Sequence, residues 1–186
     1  MHWKTLSSEY ISNHPYFTAR VDKCEMPDGK IVEAYYVVEL PVTVCALAIT
    51  EEGKAIIVKQ YRHPIKETLY EIPGGFIDAG EAPQQAIARE LLEETGYEFA
   101  AIYNVGKIAA NPGLLQSFTH LFLATGGKKI SAQRLDDNEE IEVLLLPIEE
   151  VRAMLEKNEF VQALHTSCLL YAFQKLDSMP SSPEGE

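Results

Sequence analysis

Residues 75–97 read GFIDAGEAPQQAIARELLEETGY, and this stretch decides the fold. Its second half is rich in residues that favour helices, and it begins with a proline and is followed by a glycine. Proline is tolerated at the first position of a helix, and glycine commonly ends one. We therefore predict a helix over Pro83–Thr95, and we expect Leu91 and Ala88 to face the core.

Three glutamates share one face of this predicted helix. Glu90, Glu93 and Glu94 stand at positions i, i+3 and i+4, so their carboxylates lie side by side. Like charges at these spacings repel each other unless something compensates them. A hard divalent cation such as Mg²⁺ compensates them, because it prefers oxygen ligands and phosphates. Glutamate-rich faces are also common on solvated helices, so the triplet alone leaves that interpretation open.

Two further features flank the carboxylate face. Glu81 precedes the helix and Arg89 lies within it, and an ion pair between them would anchor the loop to the helix. Gly74 and Gly75 let the backbone approach a ligand closely and offer a carbonyl oxygen. The joint spacing of all these residues is far more specific than a pair of adjacent glutamates.

The complete pattern resembles the Nudix box. That motif runs glycine, five residues, glutamate, seven residues, Arg-Glu, an aliphatic residue, any residue, Glu-Glu, any residue, glycine and an aliphatic residue. Every fixed position matches, and only Tyr97 departs from the pattern, at a packing position. The resemblance implies an α/β fold, namely a Nudix α/β/α sandwich of mixed β-sheet with a small N-terminal antiparallel β segment.

The resemblance also implies roles for individual residues. It implies Mg²⁺ or Mn²⁺ as the cofactor, and attack by metal-activated water on a phosphorus of a pyrophosphate. The metal ligands it implies are Glu90, Glu93, Glu94 and the carbonyl of Gly74, with Glu93 also catalytic. The residues it implies to be structural are Gly75, Glu81, Arg89 and Gly96.

The surroundings of the box narrow the substrate. The segments 60–64 (QYRHP) and 70–75 (YEIPGG), with Pro112 beyond the box, look like the ADP-ribose and nucleoside diphosphate sugar pyrophosphatase branch. The usual acidic pair of that branch is replaced by LLQS at 114–117, which leaves GDP-mannose and other sugar nucleotides open. The expected substrate contacts are Arg62, Tyr61, Pro112 and Phe17.

Two of these contacts have alternative interpretations. The guanidinium of Arg62 could grip a phosphate, or it could form an ion pair with Glu67 or Glu71. The ring of Phe17 could stack on a nucleobase, although core packing and a dimer interface are more common uses of such rings. His63 and His120 could bond phosphate, but a lone histidine is more often structural.

The catalytic base is expected outside the box, as is common in this branch. The acidic loop 135–142 reads LDDNEEIE, and by position Glu139 is the first choice and Glu140 the second. A base needs hydrogen-bond reach to the attacking water, and a loop can close over a substrate to provide it. The alternative is an ordinary acidic surface loop.

These features predict metal-dependent hydrolysis of ADP-ribose or a related nucleoside diphosphate sugar, which gives a nucleoside monophosphate and a sugar phosphate. One alternative is hydrolysis of another nucleotide, such as a dinucleoside polyphosphate, a nucleoside triphosphate or coenzyme A. Another is a nucleotide sensor without turnover, although such relatives usually lose the carboxylates that this box retains.

Composition sets the remaining expectations. The chain has 186 residues and a net charge of -12, which disfavours nucleic acid and anionic membranes as partners. Three widely spaced cysteines indicate free thiols, and the absence of an apolar leader or span predicts a cytoplasmic protein. We expect an N-terminal β segment at 1–40 that mediates a homodimer, a hydrolase domain at 41–177 and a flexible tail at 178–186.

The secondary structure expected around the box is coarse. We predict strands at 16–21, 31–40, 42–50, 55–61, 69–73, 101–109, 119–124 and 141–146. We predict two further helices at 151–157 and 159–176.

Overall fold

The fold is known from a computed structural model, which describes residues 1–14, 17–136 and 139–180. The elements in chain order are β1 (Lys4–His14), β2 (Phe17–Glu25), β3 (Ile31–Glu39), β4 (Thr43–Thr50), β5 (Lys54–Arg62), β6 (Glu67–Glu71), β7 (Gly74–Phe76), α1 (Pro83–Thr95), β8 (Tyr97–Ile108), β9 (Leu115–Gln116), β10 (Thr119–Lys129), β11 (Ile141–Pro147), α2 (Ile148–Glu156) and α3 (Ala163–Asp177).

The chain forms two compact units. The first consists of Met1–Val42 and Ala109–Phe118, and the second of Thr43–Ile108 and the chain from Thr119 onward. The sequence prediction placed a boundary at residue 40, and it did not assign 109–118 to the first unit. Most of the predicted tail, from residue 181, lies outside the described residues.

The first unit is built on a four-stranded sheet in the order β1-β2-β3-β9. The first three strands are antiparallel, and β9 adds to β3 in parallel. The sequence analysis missed β1 entirely. It also began the next strand at Tyr16, which lies outside the described residues, whereas the described strand continues to Glu25.

The second unit contains a seven-stranded mixed sheet. Its main path is β11-β5-β4-β10-β8, with β6 paired to β5 and β7 paired to β4. Strands β4 and β10 run parallel to each other, while the other pairs are antiparallel.

Both faces of this sheet are covered by helices. Successive side chains of a strand point to opposite faces, so a strand buried on both faces is apolar throughout. In β4, Leu47 packs into a core shared with α2 and α3, while its neighbour Ala46 packs into a core shared with α1. The predicted α/β/α sandwich of mixed sheet is therefore confirmed.

Helix α1 has the predicted bounds, because the proline stands at its first position and Gly96 caps its end in the left-handed conformation. Leu91 is buried as expected, but Ala88 is exposed, and the buried stripe instead includes Ala86 and Ile87. The last helix begins at Ala163, four residues later than predicted. Among the described residues, none of the helices has the length and apolar character that a membrane span requires.

Candidate active site

A cavity of about 530 Å³ opens in the second unit beside α1. Its wall is formed by the loop before α1, the carboxylate face of that helix, the ends of β4 and β5, the start of α3 and the segment before β11. The candidate residues that line it are Arg62, Gly74, Gly75, Arg89, Glu90, Glu93, Glu94 and Glu139. The cavity therefore collects most of the residues that the sequence singled out.

The carboxylates of α1 meet in this cavity, where burial and neighbouring negative charges disfavour their charged forms. Glu94 is buried, and its Oε2 accepts the backbone N–H of Gly74 at 2.9 Å. Burial raises the pKa of Glu94 to about 8, and the charges of Glu90 and Glu139 add to this rise. Burial likewise raises the pKa of Glu90. Carboxylates in this state gain strongly from a nearby cation.

Arg89 supplies one such cation and uses all three of its nitrogens. Its Nε and Nη2 donate to the two carboxylate oxygens of Glu81 at 3.1 and 3.0 Å, so the expected pair is present. Nη2 also donates to the carbonyl of Phe76 at 2.9 Å. Nη1 donates to Glu90 at 2.9 Å and to Glu93 at 3.0 Å. The arginine thus joins the loop before α1 to the carboxylate face.

The site suits a hard divalent cation by its donor chemistry. All the donors are oxygens, and the Glu90 carboxylate packs so closely on Gly75 that a Cβ there would lie 2.5 Å from it. Among the described residues, no three side chains of the metal-binding types form a ready-made cluster. Glu90 and Glu93 both pair with Arg89, and the ligand set expected from the sequence stays a prediction.

Gly96 fixes the segment that leads to the candidate base. Its φ is 78°, and a Cβ there would lie 2.2 Å from the carbonyl oxygen of Ser131. The Gly96 carbonyl accepts the N–H of Ile130 at 2.9 Å, and the amide of Gln133 donates to the Glu94 carbonyl at 2.7 Å. Only glycine permits this approach, so the end of α1 anchors the loop beyond it.

The two candidate bases differ in position. Glu139 lines the cavity, and its charge contributes to the raised pKa values of Glu90 and Glu94. Its Oε2 also accepts the N–H of Asp136 at 3.2 Å. Glu140 is exposed and is not part of the cavity wall. The residues between Asp136 and Glu139 lie outside the described part of the chain.

Arg62 forms the ion pair that the sequence left as one of two alternatives. Its Nε donates to Glu71 Oε1 at 3.0 Å and its Nη2 to Oε2 at 2.5 Å. Glu67 lies opposite Arg62 in the register of β5 and β6, but its side chain is exposed. Arg62 also lines the cavity, so the ion pair and a substrate contact are compatible.

Three expected substrate contacts lie outside this cavity wall. Tyr61 lies in β5 beside Arg62, is 49% exposed and packs edge-on against His63 at 6.2 Å between ring centroids. Phe17, which is 54% exposed, and Pro112 belong to the first unit. Pro112 lines a separate cavity of about 320 Å³ within that unit.

Sequence reasoning missed the contribution of α3. Gln162 and His165 line the cavity, and Gln162 Nε2 donates to Glu71 Oε1 at 3.4 Å. The cavity's histidine is therefore His165, not His63 or His120. Nothing local marks His165, because it belongs to α3 and reaches the site only through the packing of that helix on the sheet.

Comparisons with known proteins agree with this geometry. The NUDIX domain matches residues 39–164, and the nucleoside diphosphate sugar hydrolase N-terminal domain matches residues 3–38. An ADP-ribose pyrophosphatase of Bacillus subtilis (strain 168) is 34% identical over 169 residues, covering 90% of this chain and 91% of the relative. An ADP-ribose pyrophosphatase of Mycobacterium tuberculosis is 32% identical over 165 residues, covering 87% and 79%.

The chain is also similar to a relative with a different name and to a solved structure. A methanol dehydrogenase activator of Bacillus methanolicus is 36% identical over 148 residues, covering 79% of this chain and 80% of the relative. The crystal structure of an ADP compounds hydrolase superposes with a TM-score of 0.83 at 22% identity, covering 95% of each chain, which supports the fold alone. The motif, the fold and the matched domain lead to one conclusion: this chain belongs to the NUDIX domain family.

Proposed function

We propose that the chain hydrolyses the pyrophosphate bond of a nucleoside diphosphate sugar, with ADP-ribose as the first candidate. The products are a nucleoside monophosphate and a sugar phosphate. The observation that carries this proposal is the grouping of the α1 carboxylates, Arg62 and Glu139 around one cavity. The names of the bacterial relatives point to the same substrate class.

We propose Mg²⁺ or Mn²⁺ as the cofactor. The residues proposed to hold it are Glu90, Glu93, Glu94 and the carbonyl of Gly74. A bound divalent ion supplies a lower pKa for its water and neutralises charge on the leaving phosphate. The raised pKa of Glu94 supports this assignment, because a cation beside a buried carboxylate favours its charged form. Arg89 must then share Glu90 and Glu93 with the ion.

The proposed base is Glu139, with Glu140 second. Its carboxylate accepts a proton as water attacks phosphorus, the new P–O bond forms, and the anhydride P–O bond breaks towards the leaving phosphate. The place of Glu139 in the cavity wall supports this role. Glu93 is proposed to act through the metal.

Arg62 is proposed to bind a substrate phosphate with the part of its guanidinium that faces the cavity. Tyr61, Phe17 and Pro112 are proposed to contact the nucleoside or the sugar. Their support is the resemblance to the nucleoside diphosphate sugar branch and the exposure of the two rings, which leaves them available for stacking.

We further propose a cytoplasmic homodimer. The segment 1–40 is proposed to mediate dimerisation and 41–177 to be the hydrolase domain. The first unit exposes large apolar side chains, including Trp3, Tyr10 and Ile11, which a two-fold interface would bury. The three cysteines are free, as expected in a reducing compartment. Light scattering that shows a monomer at micromolar concentration would contradict the dimer.

A substrate panel tests the proposed reaction. Wild-type protein is incubated with ADP-ribose, GDP-mannose, a dinucleoside polyphosphate, a nucleoside triphosphate and coenzyme A, with Mg²⁺, with Mn²⁺ or with a chelator. We expect metal-dependent release of a nucleoside monophosphate, fastest from a sugar nucleotide. Faster turnover of one of the other three classes would replace the proposed substrate. No turnover of any compound would favour the nucleotide sensor.

A further inference from the structure

Glu71 is a buried carboxylate that the proposed mechanism does not use. It ends β6, is 1% exposed and receives both the Nε–H and an Nη2–H of Arg62. Two parallel bonds of this kind fix a guanidinium in orientation as well as in position. A charge buried to this extent persists only when it is paired. Glu71 therefore determines where Arg62 points.

The pairing leaves one side of Arg62 available. Its side chain is 40% exposed and lines the cavity. The contact with Glu71 uses Nε and Nη2 of Arg62. Within the described residues, Nη1 has no hydrogen-bond partner. Arg89, in contrast, has all three nitrogens engaged. Arg62 can therefore take up an anion without breaking its ion pair.

Helix α3 closes the other side of Glu71. Gln162 Nε2 donates to Glu71 Oε1, and His165 Nδ1 lies 4.0 Å from Oε2 while accepting the N–H of Ile72 at 3.4 Å. Burial, aided by the charge of Arg62, lowers the pKa of His165 to about 3, so the ring is neutral. Within the described residues, the charge of Glu71 is thus balanced by Arg62 alone.

We propose that Glu71 is a positioning residue for substrate binding, which holds the Arg62 guanidinium so that its free edge meets a phosphate of the substrate. Gln162 and the neutral His165 support Glu71 from the start of α3 and bring no second positive charge to it. This inference rests on the proposed function, because it requires Arg62 to bind phosphate. It assigns a role in that binding to a residue that touches no substrate.

The first test is Glu71→Gln, with Glu67→Gln as its matched control. Both changes remove one carboxylate from β6, but the Glu67 side chain is exposed, whereas Glu71 is buried and bonded to Arg62. We expect E71Q to raise KM for ADP-ribose about tenfold or more, with a smaller change in kcat, since a charge-assisted bidentate pair is lost. E67Q should keep the wild-type KM. An unchanged KM in folded E71Q, judged by its melting curve, overturns the proposal.

The second test is chemical rescue, which a merely structural role would not produce. Arg62→Ala removes the guanidinium, and guanidinium chloride at concentrations too low to unfold the protein is then added. We expect R62A to have a raised KM that guanidinium lowers, and we expect this rescue to be at least about tenfold weaker in R62A/E71Q, because the carboxylate anchors the added ion.

The outcomes distinguish failure of the proposed function from failure of the proposed role of Glu71. If wild-type protein releases no nucleoside monophosphate from any sugar nucleotide, the proposed function fails. If wild-type protein is active, but R62A has a wild-type KM, or guanidinium rescues R62A and R62A/E71Q equally, or rescues neither, the role of Glu71 is overturned.

Discussion

Of the three arginines that line the cavity, Arg62 and Arg89 differ in how their nitrogens are bonded. Arg89 makes five hydrogen bonds, to Glu81, Glu90, Glu93 and the Phe76 carbonyl, and so has no nitrogen to spare. Arg62 makes two, both to Glu71, and keeps an edge towards the cavity. An arginine with every nitrogen engaged holds structure, whereas one fixed on a single side can bind a ligand.

The carboxylates divide along the same line. Glu81 and Glu71 each serve as an anchor for one arginine. Glu90 and Glu93 share Arg89 and can exchange part of that contact for a metal ion. Glu139 lines the cavity, and within the described residues it hydrogen-bonds neither arginine. The comparison therefore predicts different losses when each group is changed.

The largest of these losses is expected at Glu139, a cavity carboxylate that neither Arg62 nor Arg89 hydrogen-bonds. Glu139→Gln should lower kcat for ADP-ribose by about 10²–10⁴-fold, the contribution typical of a general base. The measurement is turnover at saturating substrate and metal. Glu140→Gln is the matched control and should remain near wild type. A larger loss in E140Q would move the base to the neighbouring residue.

Arg62→Lys tests whether Arg62 acts in substrate binding. The lysine keeps the charge beside Glu71 but loses the second planar contact, so kcat/KM should fall by about 10–100-fold, mainly through KM. The melting temperature should change little. A large fall in melting temperature with an unchanged KM would make Arg62 the structural arginine and break the comparison.

Arg89→Lys should show the opposite pattern in the free energy of unfolding. One ammonium cannot replace the fork that joins Glu81, Phe76 and the α1 carboxylates, and we expect a loss of about 1–2 kcal/mol for these partly exposed bonds. Urea denaturation of the metal-free protein measures it. The same denaturation of R62K is the control, and equal losses in the two variants would contradict the division of roles.

The last effect concerns stability at acid pH and His165, which lies behind Arg62 and Glu71. The pKa of His165 is about 3 in the folded protein, below the ordinary value of 6.5, so the folded state resists protonation. Its contribution to stability is complete above pH 6.5 and is lost as the pH falls from 6.5 towards 3, with a slope of at most about 1.4 kcal/mol per pH unit. His165→Gln, whose side chain stays neutral, should reduce the loss of stability between pH 6.5 and pH 3. An identical pH profile in H165Q would show that His165 does not set it.

The sequence predicted what local chemistry determines. The bounds of α1 followed from its flanking proline and glycine, and the apolar run at 42–50 predicted the strand β4. The residues of β1 could not be recognised, because they are almost all exposed and show no alternation, and only pairing with β2 makes them a strand. Leu91 was correctly predicted to face the core. Ala88 was predicted to do so as well, but it is exposed and its neighbour Ile87 is buried instead.

The site shows the same limit. The spacing of Glu90, Glu93 and Glu94 predicted a shared face, and position alone favoured Glu139 over Glu140. The choice of Glu71 over Glu67 as the partner of Arg62 required the course of the side chains between two strands. The arrival of Gln162 and His165 depended on how a helix about 100 residues further along the chain packs on the sheet.

The proposed reaction requires the α1 carboxylates to hold a metal ion that assists cleavage of a pyrophosphate bond. Its most direct test is AMP release from ADP-ribose, with Mg²⁺ or Mn²⁺, by wild-type protein and by Glu93→Gln, with the exposed Glu98→Gln as control. We expect wild type and E98Q to be active only with metal, and folded E93Q to lose at least about 10²-fold, the scale of losing one electrostatic group at a reacting centre. Full activity in E93Q, or wild-type turnover that survives a chelator, would contradict the claim.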